Sequence, residues 1–285
     1  KLFIVKINII LMLIKRNVII LLCFCFSFFY SQKKEIIDSI KQEFNYQYRY
    51  QPDSLNAKDV REEYFLLKVG GSKSLFVSEN QNKRDSIMSQ MRINFEKKQG
   101  NFSDFSMVPK SKFNFYILNE FSNKEISYYS KIDSQLFYYN EVISLNWKIL
   151  SDKKNINGLE CQLAEVQYGG RLWKAWFTEK IPLGLGPYKF YGLPGLIVEI
   201  TDDKDTHTFS LIRYKYYASG NDLLAYGDFP SGKKVDKKHF LDAQISDKEQ
   251  LVERFKMMGG ALTAEKEREY RERLKRNNNP LELKN

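Results

Sequence analysis

Apolar and polar residues alternate along much of this chain. Phe44, Tyr46, Tyr48 and Tyr50 occupy every second position, with polar residues between them. Because consecutive side chains of a β-strand point to opposite faces, this pattern predicts a strand with one aromatic face and one polar face. Similar patterns predict further strands at 61–69, 74–78, 113–120, 124–131, 135–150, 160–168, 171–179, 196–201 and 206–217.

Short turn signals separate these segments. They are Gly70-Gly71, Ser122-Asn123, Asn157-Gly158, Gly169-Gly170 and Asp202-Asp203. Asn157-Gly158 is the sharpest, since a type I′ turn needs positive φ at both central residues and this pair tolerates it. Hairpins of this kind join neighbouring strands in antiparallel order. The pattern therefore predicts a mainly β fold of the α+β type, an antiparallel curved sheet or half-barrel with one or two covering helices.

Three segments have helical spacing instead. The first spans 78–95. The second begins at Ser246, which forms a capping box with Glu249, and the third runs from its N-cap Thr263 to about Arg276. The apolar residues expected to face the sheet are Ile87, Met88, Met91 and Phe95 in the first helix and Leu251, Phe255 and Met258 in the second. The third helix has little apolar surface, which predicts a solvated or loosely docked position.

The N-terminal residues 1–31 are typical of a cleavable export signal. Met12 is followed by Lys15 and Arg16, and 18–30 is an unbroken apolar run. That run is too short for the roughly 30 Å hydrocarbon core of a bilayer, and a longer span would bury both cations. We therefore expect translation to start at Met12 and cleavage to follow residue 31, rather than a permanent signal anchor.

Cleavage would leave a β-rich domain at 32–245 and a C-terminal helical segment at 246–285, part of that domain or docked on it. The mature chain is then expected in the periplasm, at the outer membrane or outside the cell, without a stable transmembrane span. The full chain has a net charge of +10, spread along the sequence and without a nucleic-acid-binding motif, so no nucleic-acid partner is expected. Cys161 would be the one remaining cysteine, and we interpret it as a small buried residue, with a reactive thiol or intermolecular disulfide as alternatives.

The segment from Gly184 to Ile197 is rich in glycine and proline. Pro194 fixes φ at the first corner of a turn and Gly195 can accept positive φ at the second, which predicts a type II turn. The glycine spacing does not match a nucleotide-binding fingerprint, because Pro187 and Pro194 lack backbone donors and no helix pattern follows.

Gly192-Leu-Pro-Gly-Leu-Ile197 resembles the motif that defines the GLPGLI family, exported proteins of Bacteroidota. Other segments follow the order seen in that family: Lys73-Ser-Leu-Phe76, Trp147-Lys-Ile149, Ile156-Asn-Gly158, Cys161-Gln-Leu-Ala164, Ala175-Trp-Phe-Thr178, Ile181-Pro182, Gly186-Pro187 and Asn279-Pro-Leu-Glu-Leu283. The resemblance implies export. It implies no reaction, because the family has no established activity.

Aromatic residues provide the candidates for ligand binding. If 171–179 is a regular strand, Trp173 and Trp176 lie on opposite faces, so one is core and the other meets a ligand, a helix or solvent. The remaining candidates, from the glycine- and proline-rich segment, are Tyr191, Gly192, Pro194 and Gly195. The chain has 18 Tyr and 21 Phe, enough to line a hydrophobic or sugar-binding groove, although plain sheet packing would also use them.

Asp202, Asp203, Asp205 and His207 lie within six residues and could form an oxygen-rich metal site with one imidazole. We favour a polar turn between strands, because calcium-loop spacing is absent, and we predict no cofactor. His207 and His239 are the only histidines, and neither adjoins a Gly-x-Ser-x-Gly motif.

Two hypotheses of function follow. The first is an exported, non-catalytic envelope binding or accessory protein, whose partner is a hydrophobic ligand or an envelope protein. The second is a secreted hydrolase that uses carboxylates, with metal assistance through Asp202 to His207 as one version.

Overall fold

The computed structural model describes residues 38–97, 105–222 and 231–283, with side chains given up to 218 in the second range. All of them belong to the unit Ile36–Asn285. The predicted export signal at residues 1–31 lies outside the described residues. No α-helix in the described ranges combines the length and the apolar character that crossing a bilayer requires.

The described strands form one large open sheet. They are β1 Ser39–Tyr50, β2 Arg61–Val69, β3 Lys73–Ser78, β4 Phe115–Glu120, β5 Glu125–Ile132, β6 Gln135–Val142, β7 Lys148–Ile156, β8 Leu159–Tyr168, β9 Arg171–Thr178, β10 Leu196–Asp202, β11 His207–Asp222 and β12 Lys233–Lys234. The order across the sheet is β12-β6-β5-β4-β3-β2-β1-β11-β10-β9-β8-β7. Two antiparallel meanders, β1–β6 and β7–β11, are thus joined by the long pairing of β1 with β11. The predicted mainly β, curved-sheet fold is confirmed.

Most strand positions agree with the alternation pattern, and one does not. The predicted strand 135–150 is two strands, β6 and β7, because residues 143–147 leave the sheet. The turn at Asn157 and Gly158 has φ of 51° and 83°, which confirms the predicted positive φ at both positions. The short strand β12 runs parallel to β6, so the sheet is mixed.

The two faces of the sheet carry different kinds of side chain. We call one the aromatic face; its fully buried side chains include Phe44, Tyr46, Tyr48, Phe65, Phe76, Trp173, Phe177 and Phe209. Strand register explains the grouping, because directly paired residues lie on the same face: Tyr46 pairs with Phe65, and Leu67 with Phe76. Each aromatic ring removes about 150–250 Å² from water, so this face contains the main core.

Three segments cover the aromatic face. The first is residues 179–195, here called the Gly/Pro segment, which buries Phe190 and Leu193 in the main core. The second is the C-terminal segment, residues 277–283, whose Leu281 packs against the same cluster. The third is a helix whose Phe240 ring lies 5.0 Å from the Tyr139 ring, between centroids. The chain thus closes its core with two irregular segments, which places chemically varied side chains over the sheet.

The described residues contain three helices: α1 Glu79–Glu96, α2 Lys237–Met257 and α3 Ala264–Arg276. The predicted N-cap of the third helix is confirmed, since the Thr263 side chain accepts a hydrogen bond from a backbone N–H. Ser78, for which no cap was predicted, caps the first helix in the same way. The predicted cap Ser246 is wrong. Helix α2 begins nine residues earlier, with Asp236 as its N-cap, because its first turn buries Phe240. The proposed boundary after residue 245 therefore falls inside a helix.

The predicted apolar face of α1 is also wrong. The buried residues of α1 are Gln81, Asp85 and Ser89, which are all polar. They meet a polar partner on the sheet, because the Tyr116 hydroxyl donates to Asp85 and accepts from Gln81 Nε2 at 2.9 Å. Burial raises the pKa of the Asp85 carboxyl. Hydrogen bonding across this interface has replaced the apolar contact that periodicity predicts.

Helix α2 departs from its predicted face in the same way. Leu251, Phe255 and Met258, which were expected to face the sheet, are exposed, whereas Phe240 and Val252 are buried. The aromatic contact with the sheet lies at the start of the helix, at Phe240, a region outside the predicted segment.

Candidate ligand-binding site

A cavity of about 400 Å³ lies on the aromatic face, and we call it the tyrosine pocket. The sheet, the start of helix α2 and the C-terminal segment supply its walls. Its aromatic lining is Tyr48, Tyr50, Phe113, Phe115, Tyr128, Tyr139 and Tyr188, and its polar lining includes Asn114, Gln244, Asn277, Asp247, Glu282, Lys112, Lys131 and Lys248. The pocket therefore combines a ring-rich surface with amides and charges.

Strand geometry places the tyrosines together. Tyr48 and Tyr50 are two residues apart on β1, so they share a face, and their rings stack with centroids 4.9 Å apart. Tyr128 of β5 pairs directly with Tyr139 of β6, and their rings stack at 5.4 Å. The alternation seen in the sequence thus produces a continuous aromatic surface only after the strands have paired.

A buried lysine lies next to this surface. Lys189 comes from the Gly/Pro segment and its side chain is fully buried. Its Nζ lies 2.5 Å from Glu141 Oε1 and 2.6 Å from Glu282 Oε1, and it donates to the Tyr139 hydroxyl at 3.1 Å. The Nζ also lies 5.1 Å from the centroid of the Tyr128 ring, within the range of a cation–π contact. We call Lys189, Glu141 and Glu282 the lysine cluster.

Two further tyrosines and a second lysine complete the hydrogen bonding of the cluster. Glu282 Oε1 accepts from the hydroxyls of Tyr188 and Tyr168 at 2.5 and 3.0 Å. Lys237 at the start of α2 donates to Glu141 Oε2 at 2.9 Å. Two cations thus neutralise two anions, which a buried ionic group requires.

The neighbours of Glu282 and Lys189 favour the charged forms of both side chains. Burial alone would raise the pKa of Glu282, but Lys189, together with Tyr188 and Lys237, holds that pKa below its ordinary value. Burial would lower the pKa of Lys189, and the two glutamates instead raise it. Burial raises the pKa values of Tyr139 and Tyr188 far above the ordinary tyrosine value, so their hydroxyls stay protonated.

An arginine holds the C-terminal segment on the other side of the pocket. Arg171 of β9 is buried and donates to Asp202 Oδ2 at 2.8 Å, Asn279 Oδ1 at 2.5 Å and Pro280 O at 2.6 Å. Asn279 Nδ2 in turn donates to the Gln51 carbonyl at 2.8 Å. The C-terminal segment is therefore fixed by charge-assisted hydrogen bonds at Arg171 and by the lysine cluster at Glu282.

The four candidate metal ligands do not converge in the structure. Asp202 is occupied by Arg171 and by the backbone N–H groups of Thr206 and His207, at 2.7 and 2.9 Å from Oδ1. Asp203 and Asp205 are exposed in the turn. In the described part of the chain, no group of three or more metal-binding side chains converges. The polar-turn interpretation fits this geometry.

His207 is buried in the core, where it contacts aromatic side chains. Its Nδ1 forms a hydrogen bond with the Tyr48 hydroxyl at 2.7 Å, and its ring lies 6.3 Å from the Trp173 ring, between centroids. Burial, and secondarily the charge of Arg171, lowers the pKa of His207 to about 4. The imidazole is therefore neutral at physiological pH and is packed among aromatic rings.

The two tryptophans lie on opposite faces of β9, as their spacing predicts. Trp173 is fully buried in the main core and donates from Nε1 to the Tyr168 carbonyl at 3.1 Å. Trp176 is half-buried on the other face, where Lys154 Nζ lies 4.3 Å from the ring centroid. Neither ring lines the tyrosine pocket.

The candidates in the Gly/Pro segment have varied positions, none of them in the tyrosine pocket. Tyr191 and Gly192 line a separate apolar cleft of about 310 Å³, next to Phe121 and Leu183. Pro194 is exposed, and Gly195 is buried. The structure thus brings only two of the six candidate residues to one cavity.

The predicted type II turn at Pro194 and Gly195 is wrong. Positive φ belongs to Gly192, at 95°, and Gly195 does not have it. Gly195 is needed for a different reason, since a Cβ atom there would lie 2.0 Å from the Thr178 carbonyl oxygen. The motif thus requires its second glycine for the close approach of two backbones at the start of β10.

Replacing Gly195 with alanine is expected to destabilise the protein by about 3 kcal/mol, because backbone atoms must move to admit the methyl group. Urea unfolding followed by tryptophan fluorescence measures the change. Gly158→Ala is the matched control: its φ is +83°, but nothing lies within 4 Å of the added Cβ, so about 1 kcal/mol is expected. Equal losses in the two variants would contradict the close-approach argument.

Cys161 is buried and is a free thiol. Burial raises its pKa, which disfavours the reactive thiolate form. Its position fits the interpretation as a small core residue.

Sequence reasoning missed the lysine cluster and its neighbour Tyr188, which lines the tyrosine pocket. Lys189 and Tyr188 lie in the Gly/Pro segment, whose sequence pattern is dominated by glycines and prolines. Their partners Glu141 and Glu282 are 48 and 93 residues away from Lys189, and no local pattern links them. A lysine between aromatic residues, in a stretch (181–198) that is otherwise uncharged, is the one available signal, since such a lysine needs a buried partner.

A family model described as "Protein of unknown function (Porph_ging)" matches residues 169–199. The match supports a family of Bacteroidota type and does not support the GLPGLI name. No curated protein matches the sequence. Among solved structures, "Structure of PNGF-II in P21 space group" and "Structure of PNGF-II in C2 space group" each align with a TM-score of 0.49 and 13% identity, over 74% of this chain and 34% of that chain. The chain therefore spans about a third of the length of these two solved chains.

Proposed function

We propose that this chain is an exported, non-catalytic envelope binding or accessory protein of the GLPGLI family, and that it holds a small ligand in the tyrosine pocket. The cavity of about 400 Å³ on the aromatic face carries the proposal. Its size falls in the range of small-molecule sites, which are concave and ring-lined with a few placed polar groups. Its place of action is then the periplasm, the outer membrane or the cell exterior.

The surroundings of the pocket favour binding because regular strands and ion pairs hold the lining in place. Strands β1, β4, β5 and β6 carry five of the seven aromatic lining residues, and the lysine cluster fixes the C-terminal segment beside them. A preformed site loses less conformational entropy when a ligand binds.

The carboxylates beside the pocket are poorly suited to hydrolysis. Glu141 and Glu282 both contact Lys189, so they are close enough to suggest a catalytic pair. A general acid needs a raised pKa, however, and that of Glu282 is lowered. Both oxygens of Glu282 also face cations or hydroxyl donors. We therefore place the carboxylate hydrolase second.

The test is native mass spectrometry of the protein purified from its own cell envelope. A co-purifying small molecule is expected, and Gln244→Trp, which puts an indole in the pocket, should abolish it. Gln250→Trp is the matched control, because Gln250 is exposed on the same helix and does not line the pocket. Equal thermal midpoints of the two variants would show that the loss is local.

Three results bear on the proposal. Absence of any bound mass, or equal ligand retention by both variants, would contradict pocket binding. Appearance of a cleaved form of the ligand on incubation would favour the hydrolase. The same spectrum tests export, because a mature chain starting at Gln32 is expected.

A further inference from the structure

We propose that the tyrosine pocket takes an acidic saccharide, a hydroxyl-rich ring that carries a carboxylate or sulfate. This inference rests on the proposed function and adds the chemical class of the ligand. Three properties of the lining support it: flat aromatic surfaces, amide groups without partners and a positive rim.

The aromatic part of the lining suits the C–H faces of sugar rings. Tyr48 and Tyr50 stack in parallel, and the Phe113 ring meets them edge-on with centroids 5.6 and 5.3 Å away. Because Phe209 also stacks on Tyr48, with centroids 4.1 Å apart, these rings leave no parallel slot between two of them. A planar base or indole would be expected to use such a slot, whereas a puckered ring with polar edges needs only one aromatic surface.

The amides in the lining call for a ligand with many hydroxyls. Asn279 is already committed, because both atoms of its amide are bonded to Arg171 and Gln51. Gln244 and Asn277 line the same pocket, and among the described residues their side-chain amides form no hydrogen bond. Covering them with an apolar ligand would cost free energy for each amide left unpaired. A lipid-like occupant is therefore disfavoured.

The rim carries an excess of positive charge. Lys112 and Lys248 are exposed lining residues, and neither has an ion-pair partner within the described residues. The acids of the lining are already neutralised: Asp247 lies 2.6 Å from Arg254, and Glu282 contacts Lys189. Unpaired lysines around a partly enclosed pocket attract an anion, and the attraction weakens with added salt.

The experiment is isothermal titration calorimetry of the ligand-free full chain with digalacturonate, a sulfated disaccharide and neutral maltose. The acidic disaccharides are expected to bind about 10-fold or more tightly than maltose, with weaker binding as the salt concentration rises. The double variant Lys112→Gln/Lys248→Gln should remove this difference. The control double variant Lys58→Gln/Lys174→Gln, at exposed lysines outside the pocket, should keep it.

Adenosine monophosphate and a fatty acid complete the set of ligands, so that every outcome either supports or overturns the inference. Equal affinity for acidic and neutral sugars, tighter binding of the nucleotide or fatty acid, equal losses in the two double variants, or no binding of either acidic disaccharide would overturn the inference. If another ligand binds and Gln244→Trp blocks that binding, ligand binding in the tyrosine pocket is supported, whereas an acidic saccharide as the ligand is contradicted. If binding survives Gln244→Trp, the proposed function falls as well.

Discussion

Replacing Lys189 with methionine is expected to destabilise the protein by about 3–5 kcal/mol, because it leaves two buried carboxylates without their shared cation. Glu282 and Glu141 both lie within 2.6 Å of Lys189 Nζ, and the lysine side chain is fully buried. Methionine has a similar length and is apolar, so the change removes charge and hydrogen bonds more than it removes volume. Urea unfolding measures the loss.

Two companion variants test the electrostatic origin of that loss. Lys174→Met changes an exposed lysine on β9 and should stay within about 0.5 kcal/mol of the wild type. Lys189→Met/Glu282→Gln removes one uncompensated charge and should recover part of the stability. A double variant as unstable as the single one would show that the packing of Lys189, not its charge, is what matters.

The pH dependence of the unfolding free energy provides an independent test of the ion pair. The lowered pKa of Glu282 means that its contribution to wild-type stability is present above the unfolded-state pKa of about 4.3 and is lost as pH falls through the folded-state value. Without Lys189, burial would raise that pKa instead, so acidification would stabilise the variant relative to the wild type. The difference in unfolding free energy between the two proteins should therefore shrink between pH 7 and pH 4. A constant difference would contradict the ion-pair account.

Local rules predicted the elements that local physics determines. The positive φ values at Asn157 and Gly158, the N-cap Thr263 and the opposite faces of β9 all follow from residues close together in the sequence. The failures occurred where tertiary contacts outweighed a local signal. Ser246 has a good capping sequence, but the burial of Phe240 extends the helix past it.

The candidate site was less predictable than the fold because its parts come from distant segments. Tyr48, Tyr139 and Glu282 meet only after β1 pairs with β2 and β11, and after the C-terminal segment docks. Residue type alone indicates the six ligand-binding candidates. Two of them have packing roles instead: Trp173 is part of the core, and Gly195 allows two backbone segments to approach closely. Periodicity indicates which face a residue occupies, but it does not indicate which remote residues will lie over that face.

Replacing Arg171 with methionine is expected to cost about 3–5 kcal/mol and to release the C-terminal segment. The change leaves the buried carboxylate of Asp202 without its cation, and it leaves the Asn279 and Pro280 oxygens without their hydrogen-bond donor. Hydrogen exchange read by mass spectrometry should show faster exchange in residues 277–283. Arg213→Met is the control, because the Arg213 side chain is 66% exposed, and it should leave that exchange unchanged.

His207 reports the same change through its own titration. Burial is the main cause of its low pKa of about 4, and the charge of Arg171 lowers that pKa further, whereas Asp202 raises it. Removing Arg171 therefore leaves burial opposed by an unneutralised Asp202, and the pKa of His207 should rise. The chain has two histidines, so NMR can follow each ring separately. A rise confined to His207, with His239 unchanged, would place the effect at the buried ion pair; an unchanged His207 would show that Arg171 holds the C-terminal segment without setting the local field.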